Sequence, residues 1–171
     1  MAIIIDANCL SNVFEKTSTL HHEFSPVFDW IISGKGKMVV GGTKYFNELK
    51  KLTRILRLFN ILKTYNKVVI VNPDQIDCEQ ARLETMINHP DFDDPHIMAL
   101  VIVSSCRLVC SRDARSEAFI LDGKYYPKGV KPPKFYKGRR NQNLLCDKYI
   151  PDKFKPLSKL NKEERERINK L

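Results

Sequence analysis

Asp6, Glu48, the doublet Asp93-Asp94 and Asp113 are acidic residues from distant parts of the chain whose settings suggest a common site. Carboxylates brought together without a counter-charge raise one another's pKa and cost stability, so a cation is the natural resolution. Hard oxygen donors, with few histidines and no paired cysteines, suit magnesium or manganese better than zinc. Such an ion activates water and neutralises the charge that develops on a phosphate under attack. The chemistry these residues point to is metal-dependent hydrolysis of a phosphodiester.

The elements around them give the reason to expect convergence. Ile3-Ile4-Ile5 is an apolar run ending in Asp6, the pattern of a central strand buried on both faces. Lys37–Val40, Lys67–Val71 and Leu108–Cys110 repeat it, and Asp113 follows the last of these. Helical patterns lie between: Asn8 to about Glu15, Phe24–Ile32, and a stretch opened by Thr43 with Phe46, Leu49 and Leu52 facing inward and Glu48 in its second turn. Leu52–Leu62 continues as a helix with Lys50, Lys51, Arg54 and Arg57 on its polar side, and Asp74 or Asp77 opens another through Met86. Pro95 suits a first helical position, which puts Asp94 at the N-cap as an acceptor for backbone N–H groups. Ile97 to Val103 is apolar throughout, so that helix must be covered on every side. Alternating strands and helices predict an α/β fold with a parallel sheet, and functional groups collect beyond the carboxyl ends of its strands. Neither a dinucleotide-binding nor a P-loop glycine pattern is present, and no Gly-x-Ser-x-Gly elbow.

Composition bounds the rest. With 171 residues, 43% hydrophobic and 29% charged, the chain has material for one domain and an extension. No apolar run approaches the length of a membrane span, and no signal-peptide pattern opens the chain. Five scattered cysteines without a Cys-x-x-Cys pair fit reduced thiols in a cytoplasm. Residues 122–171 hold 15 Lys/Arg against 6 Asp/Glu, a surplus equal to the net charge of +9, so residues 1–121 are neutral. Prolines gather there as well. In this extension Lys134, Tyr136, Lys137, Arg139 and Arg140 interleave cations with an aromatic ring, a pattern that can neutralise phosphates and stack on unpaired bases. A disordered solubilising extension, or an arm packing on the body or a partner chain, is the other reading of the same residues.

The residues Ile3-Ile4-Ile5-Asp6-Ala7-Asn8, Glu48-Leu49, Asp94-Pro95-His96-Ile97-Met98-Ala99-Leu100 and Cys110-Ser111-Arg112-Asp113 together resemble the PIN-domain ribonucleases, many of which are toxins of toxin–antitoxin pairs. Each motif is weak alone; four in order and at the right spacing are more specific. The resemblance covers about residues 2–121. It implies a three-layer α/β/α sandwich with a mainly parallel sheet. It further implies Mg2+ or Mn2+ held by catalytic Asp6, Glu48, Asp94 (or Asp93) and Asp113, RNA as substrate, and Asn8 and Ser111 hydrogen-bonding the acids. An antitoxin protein and a second copy of the chain are the partners it suggests. The division expected is a nuclease domain at 1–121 and a basic extension at 122–171. Against the nuclease stands a catalytically inactive RNA- or protein-binding module on the same fold. At single positions Glu48 is also read as a surface acid pairing with Lys44 or Lys51, Asp113 as a helix start, and His96 as a packed histidine.

Overall fold

Ala2–Ile5 forms β1 with all four residues buried, as a β-branched run closed in on both faces must be. On one side it pairs with β2 (Lys37–Val40), which pairs with β3 (Val68–Ile70). On the other it pairs with β4 (Leu108–Cys110), which pairs with β5 (Lys134–Tyr136). The order is β3-β2-β1-β4-β5 and every pairing is parallel. This computed structural model describes residues 2–146 and 151–170; Met1, Leu171 and residues 147–150 of the basic segment lie outside that set.

Helices α1 (Ala7–Phe14) and α2 (His21–Ile32) connect β1 to β2, and α3 (Thr43–Lys50) and α4 (Thr53–Thr64) connect β2 to β3. The chain then returns through α5 (Pro73–Met86) and α6 (Pro95–Ser104) to the far side of β1, and α7 (Ala114–Leu121) follows β4. Crossovers of one hand place helices on one face while the chain steps from β1 to β3, and on the other face when it steps back. Accordingly α1 packs on α2, α3 and α4, while α5 packs on α6 and α6 lies against β1. The architecture is the expected three-layer α/β/α sandwich. The order reverses between β1 and β4, and a crevice opens beyond the carboxyl ends of two strands whose connections leave in opposite directions. Asp6 and Asp113 follow those two strands.

Helix α6 is buried along nearly its whole length, as its apolar run requires. Its cap differs from expectation. Asp94 occupies the N-cap, but its side chain accepts no capping hydrogen bond; its backbone carbonyl takes Ile97 N–H instead. The opening of α3 differs too. Gly42, not Thr43, is the N-cap, with φ of +84°, and a Cβ there would lie 2.6 Å from Ile76 Cγ2. The capping carboxylate arrives from α5: Asp77 accepts Thr43 N–H at 2.8 Å and Thr43 Oγ1 at 2.5 Å. Helix α5 itself is capped by Asn72, so neither Asp74 nor Asp77 starts it. Its last residue, Met86, is half exposed.

Residue 121 ends α7, yet the packed body continues past it. Lys134–Tyr136 supplies the sheet's edge strand, and Phe135, Phe154, Leu160 and Ile168 join the core. The terminal helix α8 (Lys162–Asn169) begins at Asn161 with a reciprocal capping box to Glu164. Lys67 is fully buried: its ammonium donates to Gly34 O at 2.9 Å and Ser158 O at 2.8 Å, joining the last third to the loop before β2. Among the described residues no helix is long and apolar enough to cross a membrane.

Candidate metal centre

Asp6 caps α1 and is 4% exposed. Its Oδ1 accepts Asn8 N–H at 3.2 Å, and its Oδ2 accepts Asn8 Nδ2 at 2.8 Å and Ser111 Oγ at 2.7 Å. Burial pushes its pKa up; the Ser111 and Asn8 hydrogen bonds oppose this and the nearby Asp113 charge adds to it. Ser111 Oγ also accepts Asp113 N–H at 3.1 Å, so one hydroxyl joins the acid after β1 to the acid after β4. Asp113 caps α7 through Arg115 N–H at 2.9 Å, so the helix-start reading of this residue describes part of what it does.

Tyr45 places Glu48. The buried phenol donates to Ile5 O at 2.7 Å and fixes α3 against the end of β1, with Glu48 three residues further on. Burial raises the Glu48 pKa, Asp6 adds to the rise, and Lys44 and Lys51 counter it. Between Glu48 and Asp94 stands His96, 1% exposed, with Nε2 3.4 Å from Glu48 Oε2 and Nδ1 3.9 Å from Asp94 Oδ1. Neither ring nitrogen has a hydrogen-bond partner. Burial, with Lys44 adding, pushes its pKa down to about 3.

The acidic doublet divides its tasks. Asp93 accepts from Ser116 Oγ at 2.8 Å and pairs with Arg115 at 2.5 Å. Ser116, buried on α7, also accepts both Asp93 and Asp94 N–H groups at 3.2 Å and so shapes the turn. Asp94 caps nothing, and burial together with Asp6, Asp93 and Asp113 raises its pKa to about 7, against the opposing Lys44. Lys44 donates to Asp93 O at 2.8 Å.

Carboxylate oxygens of Asp93, Asp94 and Asp113 lie within 4.8 Å of one another. Asp6 and Glu48 stand outside that trio, Asp6 joined to it through Ser111 and Glu48 approached through His96. This donor set fits a hard divalent cation: all oxygen, drawn from separate segments, and with three of the expected ligands pushed toward protonation by burial. Arg115 is the residue that sequence reasoning missed. Its guanidinium bridges Asp93 at 2.5 Å and Asp113 at 2.7 Å, and holds the Asp113 carboxyl below its usual range. Nothing in the local pattern signals this, because the partner Asp93 is 22 positions away. A divalent cation seated among these carboxylates would compete with Arg115 for the same oxygens. Arg115→Gln should therefore enlarge the rise in melting temperature produced by a fixed Mn2+ concentration; an unchanged rise would remove Arg115 from that competition.

The residues expected to meet RNA separate into two kinds. Cys110 pairs with Tyr136, so the chain after β5 emerges at the same sheet edge as Ser111 and Asp113. Tyr136 itself is fully buried, its hydroxyl donating to Glu23 O at 2.9 Å, so it presents no ring for stacking on a base. Lys134, Lys137, Arg139 and Arg140 are exposed. Lys137 pairs with Glu117 of α7, and Arg139 clasps the start of α2 through Glu23 and His22. Beside Glu48 a groove of about 460 Å³ runs between α3 and α5, lined by Lys44, Asn47, Lys51 and Gln80 with Asp77 and Glu84. No family model matches the chain, and no curated protein or solved structure does either.

Proposed function

We propose that the protein is a metal-dependent endoribonuclease, with Mg2+ or Mn2+ held by Asp94 and Asp113 and, behind them, by Asp6 and Glu48. One observation carries the reading. Carboxylates from four separate segments gather where the strand order reverses, three of them with raised pKa values that a cation would relieve. Asp94 is the better ligand of the doublet, because the Asp93 carboxylate is committed to Ser116 and Arg115. When bound, the ion supplies an activated water and charge neutralisation at the phosphate. The chain's own residues orient the acids: Ser111 and Asn8 hold Asp6, Tyr45 holds α3, and Ser116 sets the turn at Asp93 and Asp94. Exposed cations at 134–140 and in the groove beside Glu48 would carry the polyanion. Thiols not joined in disulfides at Cys9, Cys78, Cys106 and Cys110 suit a reducing cytoplasm.

The deciding experiment is incubation of the protein with single-stranded RNA in Mg2+, in Mn2+ and in EDTA. Cleavage in either metal and none in EDTA is the expected result. Arg115 favours the second reading, an inactive RNA-binding module, since a built-in cation already neutralises two of the acids. RNA binding without cleavage in any divalent metal would select it. In either case Lys134→Gln with Arg140→Gln should lower the slope of log binding constant against log salt by about 1.4, at roughly 0.7 per lost phosphate contact. A parental slope in the double variant would place RNA elsewhere on the surface.

A further inference from the structure

Helix α6 is aliphatic at almost every buried position, yet its second residue is a histidine. A leucine would satisfy the packing at that depth. A buried imidazole whose nitrogens both lack partners is instead a standing cost, because neither its N–H nor its lone pair has recovered what it lost on leaving water. The ring is not randomly placed. One nitrogen faces Glu48 and the other faces Asp94, so His96 lies between two acids of the candidate metal centre that come from different helices. Ligating carboxylates in metal sites are themselves held by hydrogen bonds, and those partners fix which oxygen faces the ion.

We propose that His96 is a positioning residue for the metal centre: its Nε2–H, 3.4 Å from Glu48 Oε2 and without a hydrogen-bond partner in this structure, closes on the Glu48 carboxylate when an ion is seated, while its Nδ1 lone pair turns Asp94 toward Asp113. A neutral imidazole has one donor and one acceptor. With the donor at Nε2, 3.4 Å from Glu48 Oε2, the lone pair faces Asp94 Oδ1 at 3.9 Å and repels it. Asp94 then presents its oxygens to the side where Asp113 and Asp93 lie within 4.8 Å. His96 is not a ligand in this arrangement, since its two nitrogens address two different carboxylates. It acts through them.

The inference rests on the metal-dependent reading, and its test separates the two. Mn2+ binding is measured by calorimetry, without RNA, for the parent protein, His96→Leu and His96→Gln, with metal-free melting temperatures alongside. His96→Leu should melt at or above the parental temperature, because it removes unpaired polar atoms from the interior, and should bind Mn2+ at least about tenfold more weakly. His96→Gln, whose amide reaches toward the Nε2 position, should recover most of that affinity. A Leu variant that binds Mn2+ as the parent does, or a Gln variant no better than Leu, overturns the positioning role while leaving the metal centre standing. A parent protein that binds no Mn2+ overturns the metal reading itself, and this inference with it.

Discussion

Asp6→Asn should reduce RNA cleavage about a thousandfold, corresponding to about 4 kcal/mol of lost transition-state stabilisation, and leave the fold intact. The reason lies in the three hydrogen bonds that Asp6 accepts. An asparagine can still take Asn8 N–H on its oxygen and keep the cap of α1. Its new amide N–H groups then meet Asn8 and Ser111, and both can adapt: the Asn8 amide by turning over, the Ser111 hydroxyl by rotating. The substitution removes a charge at the cost of the acceptor for one hydroxyl, that of Ser111. Because burial already raises the Asp6 pKa, the metal-free variant should melt no lower than the parent. Activity measured beside thermal melting checks both halves. A variant that cleaves RNA at the parental rate would exclude Asp6 from the chemistry.

The second large effect is one of pH, and it is hidden in the parent protein. Asp94 has a raised pKa, about 7 against 3.8, so it favours the fold at acid pH and loses that contribution as pH rises from about 4 through about 7. His96 has a lowered pKa, about 3 against 6.5, so it favours the fold above about 6.5 and loses that contribution as pH falls toward about 3. Between about pH 4 and 6.5 the folded chain keeps an extra proton on Asp94 and lacks one on His96, and the two slopes oppose each other. In EDTA these two contributions should therefore largely cancel in the parent, leaving the slope set by the other shifted acids, Asp6, Glu48 and Asp113 among them. Asp94→Asn leaves the histidine unopposed, and its slope with pH should be more positive than the parent's. His96→Leu leaves the carboxyl unopposed, and its slope should be more negative than the parent's. Either change in slope is at most about 1.4 kcal/mol per pH unit, and smaller for Asp94, where partial exposure screens the effect. Urea denaturation at pH 4.5, 5.5 and 6.5 measures it. Shifts of the same sign from the parental slope in the two variants would refute the assignment.

Much of this arrangement is legible in the sequence because it depends on local patterns. The run Ile3–Ile5 can only be a doubly covered strand, and Pro95 before seven apolar residues can only open a buried helix. Once β1 and β4 are placed, Asp6 and Asp113 fall at one sheet edge without further information. What escaped the sequence depends on partners far along the chain. Asp77 looks like the start of its own helix, but its carboxylate caps α3 across 34 positions. Asp94 has the sequence of a side-chain cap and does not make one, and its own N–H is held by Ser116, 22 positions away. Lys67, at the head of a strand, would be read as solvated and is fully enclosed. Lys134-Phe135-Tyr136 is too short and too basic to announce a strand, and only its pairing with β4 turns two aromatic rings inward.

That pairing bears on how the last third can be studied. A fragment stopped at residue 121 would bare the hydrogen-bonding rim of β4, uncover the pockets now filled by Phe135 and Ile168, and deprive the Lys67 ammonium of the Ser158 carbonyl. Such a fragment would aggregate or melt before its affinity for any polyanion could be compared with that of the whole chain. The basic segment is better dissected one side chain at a time, because part of what it does is to close the sheet.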